Sequence, residues 1–165
     1  MARWPFLLLL SLAACATPQP APQVPTAGWF SHYSGGRAER LRLDLLLDKP
    51  RFARPDNIIP ITLAIGAHSS HHLVQVRRAE PPHLHATHDL TVRVVRGDGR
   101  MHLGDRSFPV TEGDTTFIPR GVAHYFENTG ATPAALLAIF SPAFDGRDRV
   151  PVGAPPAPGG KTAPQ

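Results

Sequence analysis

From residue 57 onward the chain repeats one arrangement: a short run in which apolar and polar side chains alternate, then a cluster of Gly, Asp, Asn, Ser or Pro. A period of two sends successive side chains to opposite faces of a pleated strand, so this rhythm predicts half-buried β-strands joined by tight turns. The predicted strands are residues 58–65, 72–78, 83–95 with an irregularity near Asp89, 100–103, 115–118, 124–128 and 134–140. Turns fall at Gly97-Asp98-Gly99, Gly104-Asp105, Glu112-Gly113-Asp114 and Thr129-Gly130. The sustained 3.6-residue rhythm of a long helix is absent, which favours a sandwich or barrel. Residues 41–47 alternate like a strand, although 37–48 also suits a short helix; the strand is preferred. In the longest run, Leu90, Val92 and Val94 share one face and Thr91, Arg93 and Val95 the other. Which face turns inward depends on the irregularity.

The two ends have a different composition. Residues 1–14 carry Arg3, an apolar run over 6–10 and small residues up to Ala14, the make-up of an export signal peptide. The run is too short to remain in a bilayer as a spanning helix. Leu12-Ala13-Ala14-Cys15 resembles the lipobox of bacterial lipoproteins. That resemblance implies cleavage before Cys15, acylation of its thiol and attachment to the membrane through the lipid. Cys15 is the only cysteine, so no disulfide forms within one chain. An ordinary secretory signal cut after Ala14 or Ala16 is the alternative, and it leaves a free thiol. Ala16 is not an aspartate, which by analogy with lipoprotein sorting points to the periplasmic face of the outer membrane in the cell envelope. Residues 15–26 are Pro-rich and read as a tether, 27–150 as one domain, and 151–165 as a disordered Pro/Gly-rich tail.

Formal charge is +4; without Arg3 the mature chain has 16 basic residues against 13 acidic ones. The arginines are scattered, and no run is long enough to follow a phosphate backbone, so nucleic acid is not an expected partner.

Candidate chemistry lies in two stretches. His83-Leu84-His85 puts two imidazoles on one face of a strand. Residues 113–128 then give a glycine turn, a short strand, a second turn at Pro119-Arg120-Gly121, and His124 opening another strand. A third imidazole from a neighbouring strand can converge with the first two on one ion. The alternative is three ordinary histidines at a chance spacing.

Residues 113–128 match every fixed position of G-x5-P-x-G-x2-H-x3-N, the second motif of the cupin family, and the chain is identified as resembling that family. The first motif, G-x5-HxH-x3-4-E-x6-G, is matched in part. His83, His85 and Gly97 stand at or near their places, Arg77 replaces the opening glycine, and Asp89 replaces the glutamate. Seven residues rather than six separate Asp89 from Gly97, and the extra one calls for a β-bulge.

The resemblance implies an all-β, single-domain jelly-roll β-barrel (double-stranded β-helix) holding one divalent metal such as Fe, Zn or Mn on His83, His85, His124 and Asp89. His88 is the rival fourth ligand if the bulge turns it inward. Phe126 and Asn128, on the His124 face, are expected at the ligand pocket, Phe126 in its apolar wall and Asn128 either bracing the strand or hydrogen-bonding a ligand, with a structural role preferred to a catalytic one. His68, His71 and His72 read as a surface turn. Residues 140–151 read as a terminal loop plugging the core with Phe140 and Phe144, or as a lid lending Phe144 or Arg147 to a ligand.

The functional expectation is metal-dependent chemistry on a small organic ligand, either dioxygenase-like oxidoreduction or isomerase-type, metal-assisted chemistry. A non-enzymatic envelope protein that binds a metal or small molecule is the competing class, and a purely structural protein the third. A homodimer is what the family implies for assembly.

Overall fold

The alternating runs pair into two five-stranded antiparallel sheets and a separate hairpin. The structure is a computed structural model that describes residues 28–48 and 57–153. Residues 1–14, read from sequence as a signal peptide, Cys15, the expected tether to residue 26 and residues 154–165 of the expected tail lie outside the described residues. In chain order the elements are β1 (Trp29–Ser34), β2 (Arg37–Arg42), α1 (Leu43–Leu47), β3 (Ile58–Ile65), β4 (Ser70–Val76), β5 (His83–Leu84) and β6 (Asp89–Arg96). Then come β7 (Gly99–Leu103), β8 (Arg106–Val110), β9 (Thr115–Ile118), β10 (His124–Asn128), β11 (Ala134–Ser141) and β12 (Val150–Pro151). One sheet runs β3-β4-β11-β6-β9 and the other β12-β5-β10-β7-β8, the double-sheet arrangement of a jelly roll.

Leu90, Val92 and Val94 face inward and join Met101, Ile118, Phe126, Leu136 and Phe140 in the core between the sheets. Arg93, on the opposite face of β6, is exposed. The predicted irregularity exists but sits elsewhere. Ala135 pairs with Arg96 and Leu136 with Val94, so the unpaired residue is Val95, at the Gly97 end of β6. The seventh residue of the spacer is absorbed there, and the parity of the strand back to Asp89 is undisturbed.

Residues 41–47 correct the preferred strand. β2 stops at Arg42 and a helical turn follows, because Leu43 and Leu47, four apart, stack on one side of a helix. Both are buried with Leu73, Leu63 and Ala135 on the outer face of the first sheet. The Gln75 side-chain amide donates to the Leu47 carbonyl at 3.1 Å and fastens this cover. Gly99 marks the tightest approach in the second sheet: a Cβ there would lie 2.2 Å from Phe126 Cζ. Pro151, assigned by composition to the tail, belongs to β12 and pairs with His83.

Candidate metal centre

β5 is only two residues long, yet it is held on both sides. His83 pairs with His124 of β10 and with Pro151 of β12. Register thus places the first histidine of one motif directly opposite the histidine of the other. Gly121 takes φ 80°, a conformation costly for any residue with a Cβ, and its N–H reaches the His85 carbonyl at 2.7 Å. The two motifs are hydrogen-bonded to each other through that turn.

His83, His85 and His124 are buried, at 5%, 4% and 3% exposure. One ring nitrogen from each lies within 4.8 Å of the others. Ring centroids are 5.1 Å apart for His83 and His85, 4.4 Å for His83 and His124, and 5.4 Å for His85 and His124. Each Nδ1 has a backbone carbonyl as partner: Pro81 at 2.9 Å for His83, Asp148 at 2.6 Å for His85, and Val122 at 2.9 Å for His124. A carbonyl only accepts, so all three Nδ1 atoms carry the proton and all three Nε2 atoms present lone pairs. Arg149 Nη2 lies 3.2 Å from His83 Nδ1 but also 3.4 Å from the Pro81 carbonyl. The shorter His83–Pro81 contact fixes the tautomer, and the guanidinium shares that carbonyl.

Burial holds the imidazoles neutral. It is the main reason that the His83 pKa falls to about 3 and the His124 pKa to about 4, and it lowers His85 as well. The neighbouring imidazoles and Arg149 push in the same direction at His83 and His124. His124 Nε2 is buried without a hydrogen-bond partner, which is costly unless something takes its lone pair. A neutral, convergent three-nitrogen set suits a divalent transition metal.

Asp89 is not part of this group. Its parity in β6 sets it on the face of Thr91 and Arg93, away from the core. Its carboxylate accepts Arg120 Nε at 3.1 Å, Arg120 Nη2 at 2.9 Å and the Arg120 backbone N–H at 3.0 Å. The Arg120 hydrogen bonds draw its pKa down to about 2. The expectation of Asp89 as fourth ligand is therefore corrected: the residue is an ion-pair partner at the start of β6. His88 does have inward parity and is buried, but its Nδ1 is bound to Asp148 at 2.6 Å and its Nε2 lies 3.3 Å from the Ala143 carbonyl.

Phe126 and Asn128 are likewise corrected. Phe126 is core, fully covered, and lines neither cavity beside the histidines. Asn128 shares the His124 face, but at the end of β10 that face meets a loop rather than the cavity. Its Nδ2 donates to the carbonyls of Arg77 at 2.9 Å and Thr132 at 2.8 Å, and its Oδ1 accepts from Gly130 N at 3.0 Å. It braces a turn. His72 is also unlike its predicted surface turn: it is buried in β4, with Nε2 2.9 Å from Ser70 Oγ.

Residues without a local pattern complete the site. A small inner cavity of about 60 Å³ touches all three histidines and Glu80. An outer one of about 420 Å³ opens beyond it, bounded by Glu80, His83, His85, Phe144 and Arg149. Glu80 is locked to β10 twice, its N–H donating to the Phe126 carbonyl at 2.9 Å and its Oε2 accepting from Phe126 N at 3.1 Å. It lines both cavities, and burial raises its pKa against the opposing pull of Arg149. Asp148 ties the C-terminal segment to the His85 loop. Its carboxylate accepts the N–H groups of Ala86, Thr87 and His88 at 2.9, 2.9 and 3.1 Å, while its own carbonyl orients His85. Of the two readings of residues 140–151, the segment combines features of both: Phe140 and Phe144 stack at 4.5 Å over the site, and the arginine turned to it is Arg149 rather than Arg147.

A family model described as "Cupin domain" matches residues 70–140. A protein of Aquifex aeolicus described only as uncharacterized is 42% identical over 106 residues, covering 64% of this chain and 87% of its own length. A mannose-1-phosphate guanylyltransferase of Klebsiella pneumoniae is 30% identical over 109 residues, 66% of this chain but only 20% of that enzyme. Among solved structures, KdgF from Halomonas sp. superposes with a TM-score of 0.53 at 22% identity, over 57% of this chain and 86% of that one. The sheet order, the paired motifs and these relatives agree, and the chain belongs to the cupin family.

Proposed function

We propose that the protein holds one divalent metal on His83, His85 and His124 and acts on a small organic molecule in the adjoining cavity. One observation carries this reading: three buried imidazoles have every Nδ1 tied to a carbonyl, leaving three convergent Nε2 lone pairs, of which that of His124 has no partner. Fe, Zn and Mn all suit such donors. A bound ion supplies Lewis-acid polarisation of a carbonyl or water oxygen or, if redox-active, electron transfer to or from the ligand. The chain's own contribution is to orient the donors through Pro81, Val122 and Asp148, to wall the cavity with Phe140 and Phe144, and to present Glu80 beside the histidines. Glu80 lines both cavities beside the donors, and a carboxyl whose pKa burial raises is suited to giving or taking a proton there. The matched relatives include enzymes named as mannose-1-phosphate guanylyltransferases, but the chain spans about a fifth of their length, so their substrates are not assigned to it.

The leader sequence supports delivery to the cell envelope, with acylated Cys15 anchoring the domain on a Pro-rich tether at the periplasmic face of the outer membrane. A homodimer remains part of the proposal on family grounds.

The test is to purify the full chain without chelators, quantify bound metal, and repeat with a His83→Ala, His124→Ala double variant and with Asp89→Ala. About one equivalent is expected in wild type and in Asp89→Ala, and none in the double variant. No bound metal under any loading condition refutes the reading.

A further inference from the structure

The outer cavity has a chemical bias that the metal site alone does not give it. Its walls are largely apolar, with Ile58, Val74, Phe140 and Phe144 among them. Its charged groups are Arg149, Glu80 and Asp145. Arg149 is placed by the chain's return: the next residue, Val150, pairs with Leu84 of β5, so the arginine is fixed beside the histidine strand. Among the described residues only its Nη2 has a protein acceptor, the Pro81 carbonyl at 3.4 Å, so most of the guanidinium fork remains available. Its charge reaches across the cavity, depressing the basicity of His83, His85 and His124 and opposing the neutralisation of Glu80.

We propose that this cavity receives a small organic monocarboxylate whose carboxylate is gripped by the Arg149 guanidinium while its apolar body lies against Phe140 and Phe144. A planar two-oxygen anion matches the fork of an arginine and gains charge-assisted hydrogen bonds there. The charge balance selects one negative charge. With a divalent ion on the histidines, Arg149 brings the positive total to three, and Asp145 together with the ionised form of Glu80 leaves a net of about one. A phosphate dianion exceeds that balance and faces both Glu80 and Asp145. Asp145 has its Oδ1 occupied by the Arg147 N–H at 2.9 Å, which offsets part of its charge. The inference rests on the metal reading for its charge count, but Arg149 is available with or without the ion.

The experiment is calorimetric titration of the full chain, metal-loaded and metal-free, with matched carboxylate and amide probes: mandelate and mandelamide, benzoate and benzamide, and inorganic phosphate. Wild type is expected to prefer at least one carboxylate over its amide by about tenfold or more, and to bind phosphate more weakly. Arg149→Gln is expected to remove that preference, weakening the carboxylate about tenfold to a hundredfold and leaving the amide unchanged; Arg149→Lys retains part of it. Bound metal measured on each variant separates the two ideas. Metal present with no carboxylate binding, or with preference intact in Arg149→Gln, overturns this inference alone. Absent metal with an Arg149-dependent preference overturns the metal reading alone. Tighter binding of phosphate than of every carboxylate also overturns the monocarboxylate assignment.

Discussion

Replacing Asn128 by Ala separates bracing from ligand contact at a position where the sequence pattern suggested the pocket. The side chain makes three well-formed hydrogen bonds, to the Arg77 and Thr132 carbonyls and from Gly130 N–H, at 2.9, 2.8 and 3.0 Å. Its contact with the Val76 carbonyl is longer, 3.3 Å, and shares the same amide nitrogen. At about 1 kcal/mol net for each of the three, with some recovery by water at the exposed turn, the loss is about 2–3 kcal/mol. For a domain of this size that lowers Tm by roughly 6–15 °C. Urea unfolding followed by circular dichroism gives the change in midpoint and slope, and metal quantification on the folded variant gives site occupancy. The expected result is a lower midpoint at unchanged slope with metal binding retained. A wild-type midpoint combined with weakened metal or ligand binding refutes the argument and returns Asn128 to the pocket.

Two further outcomes follow from the site. Asp148→Ala removes the acceptor for three backbone N–H groups and for His88, and frees the carbonyl that orients His85 to drift. Metal affinity measured by chelator competition is expected to fall about 10- to 100-fold, with faster tryptic cleavage at Arg147 and Arg149; unchanged affinity refutes a positioning role. In the metal-free protein, burial keeps His83 and His124 from protonating until about pH 3 and pH 4, whereas the unfolded chain takes up those protons near the ordinary value of 6.5. The unfolded state therefore binds more protons below about pH 6.5, and stability present above that pH is lost as pH falls toward 4. A urea midpoint that stays constant from pH 7 to 4.5 contradicts this.

The half of the site that was legible in sequence is the half encoded by short spacing. His83 and His85 are two apart, and the Gly113, Pro119, Gly121 and His124 series specifies turns whose positive-φ glycines are present as read, at φ 98° and 80°. The pairing of β10 with β5 then sets His124 opposite His83. The other half is made by residues far apart in sequence and without a pattern. Asp148 meets His85 across 63 positions and His88 across 60, and such pairings arise only when β12 returns to β5. Asp89 departs from its expected place because an extra spacer residue can be absorbed at either end of a strand; it is absorbed at Val95, so Asp89 keeps outward parity. Asn128 lies away from the pocket for a different reason. A shared face says which side of the sheet a residue occupies, but not whether the facing layer still extends that far.

The dependence of His85 on Asp148 also bears on biosynthesis. A growing polypeptide contains all three imidazoles by residue 124, yet the carbonyl that sets the orientation of one of them is added 24 residues later. A fragment ending before Asp148 therefore has the donors without their alignment, so a cation met at that stage encounters a looser and less selective set of nitrogens than the finished molecule offers.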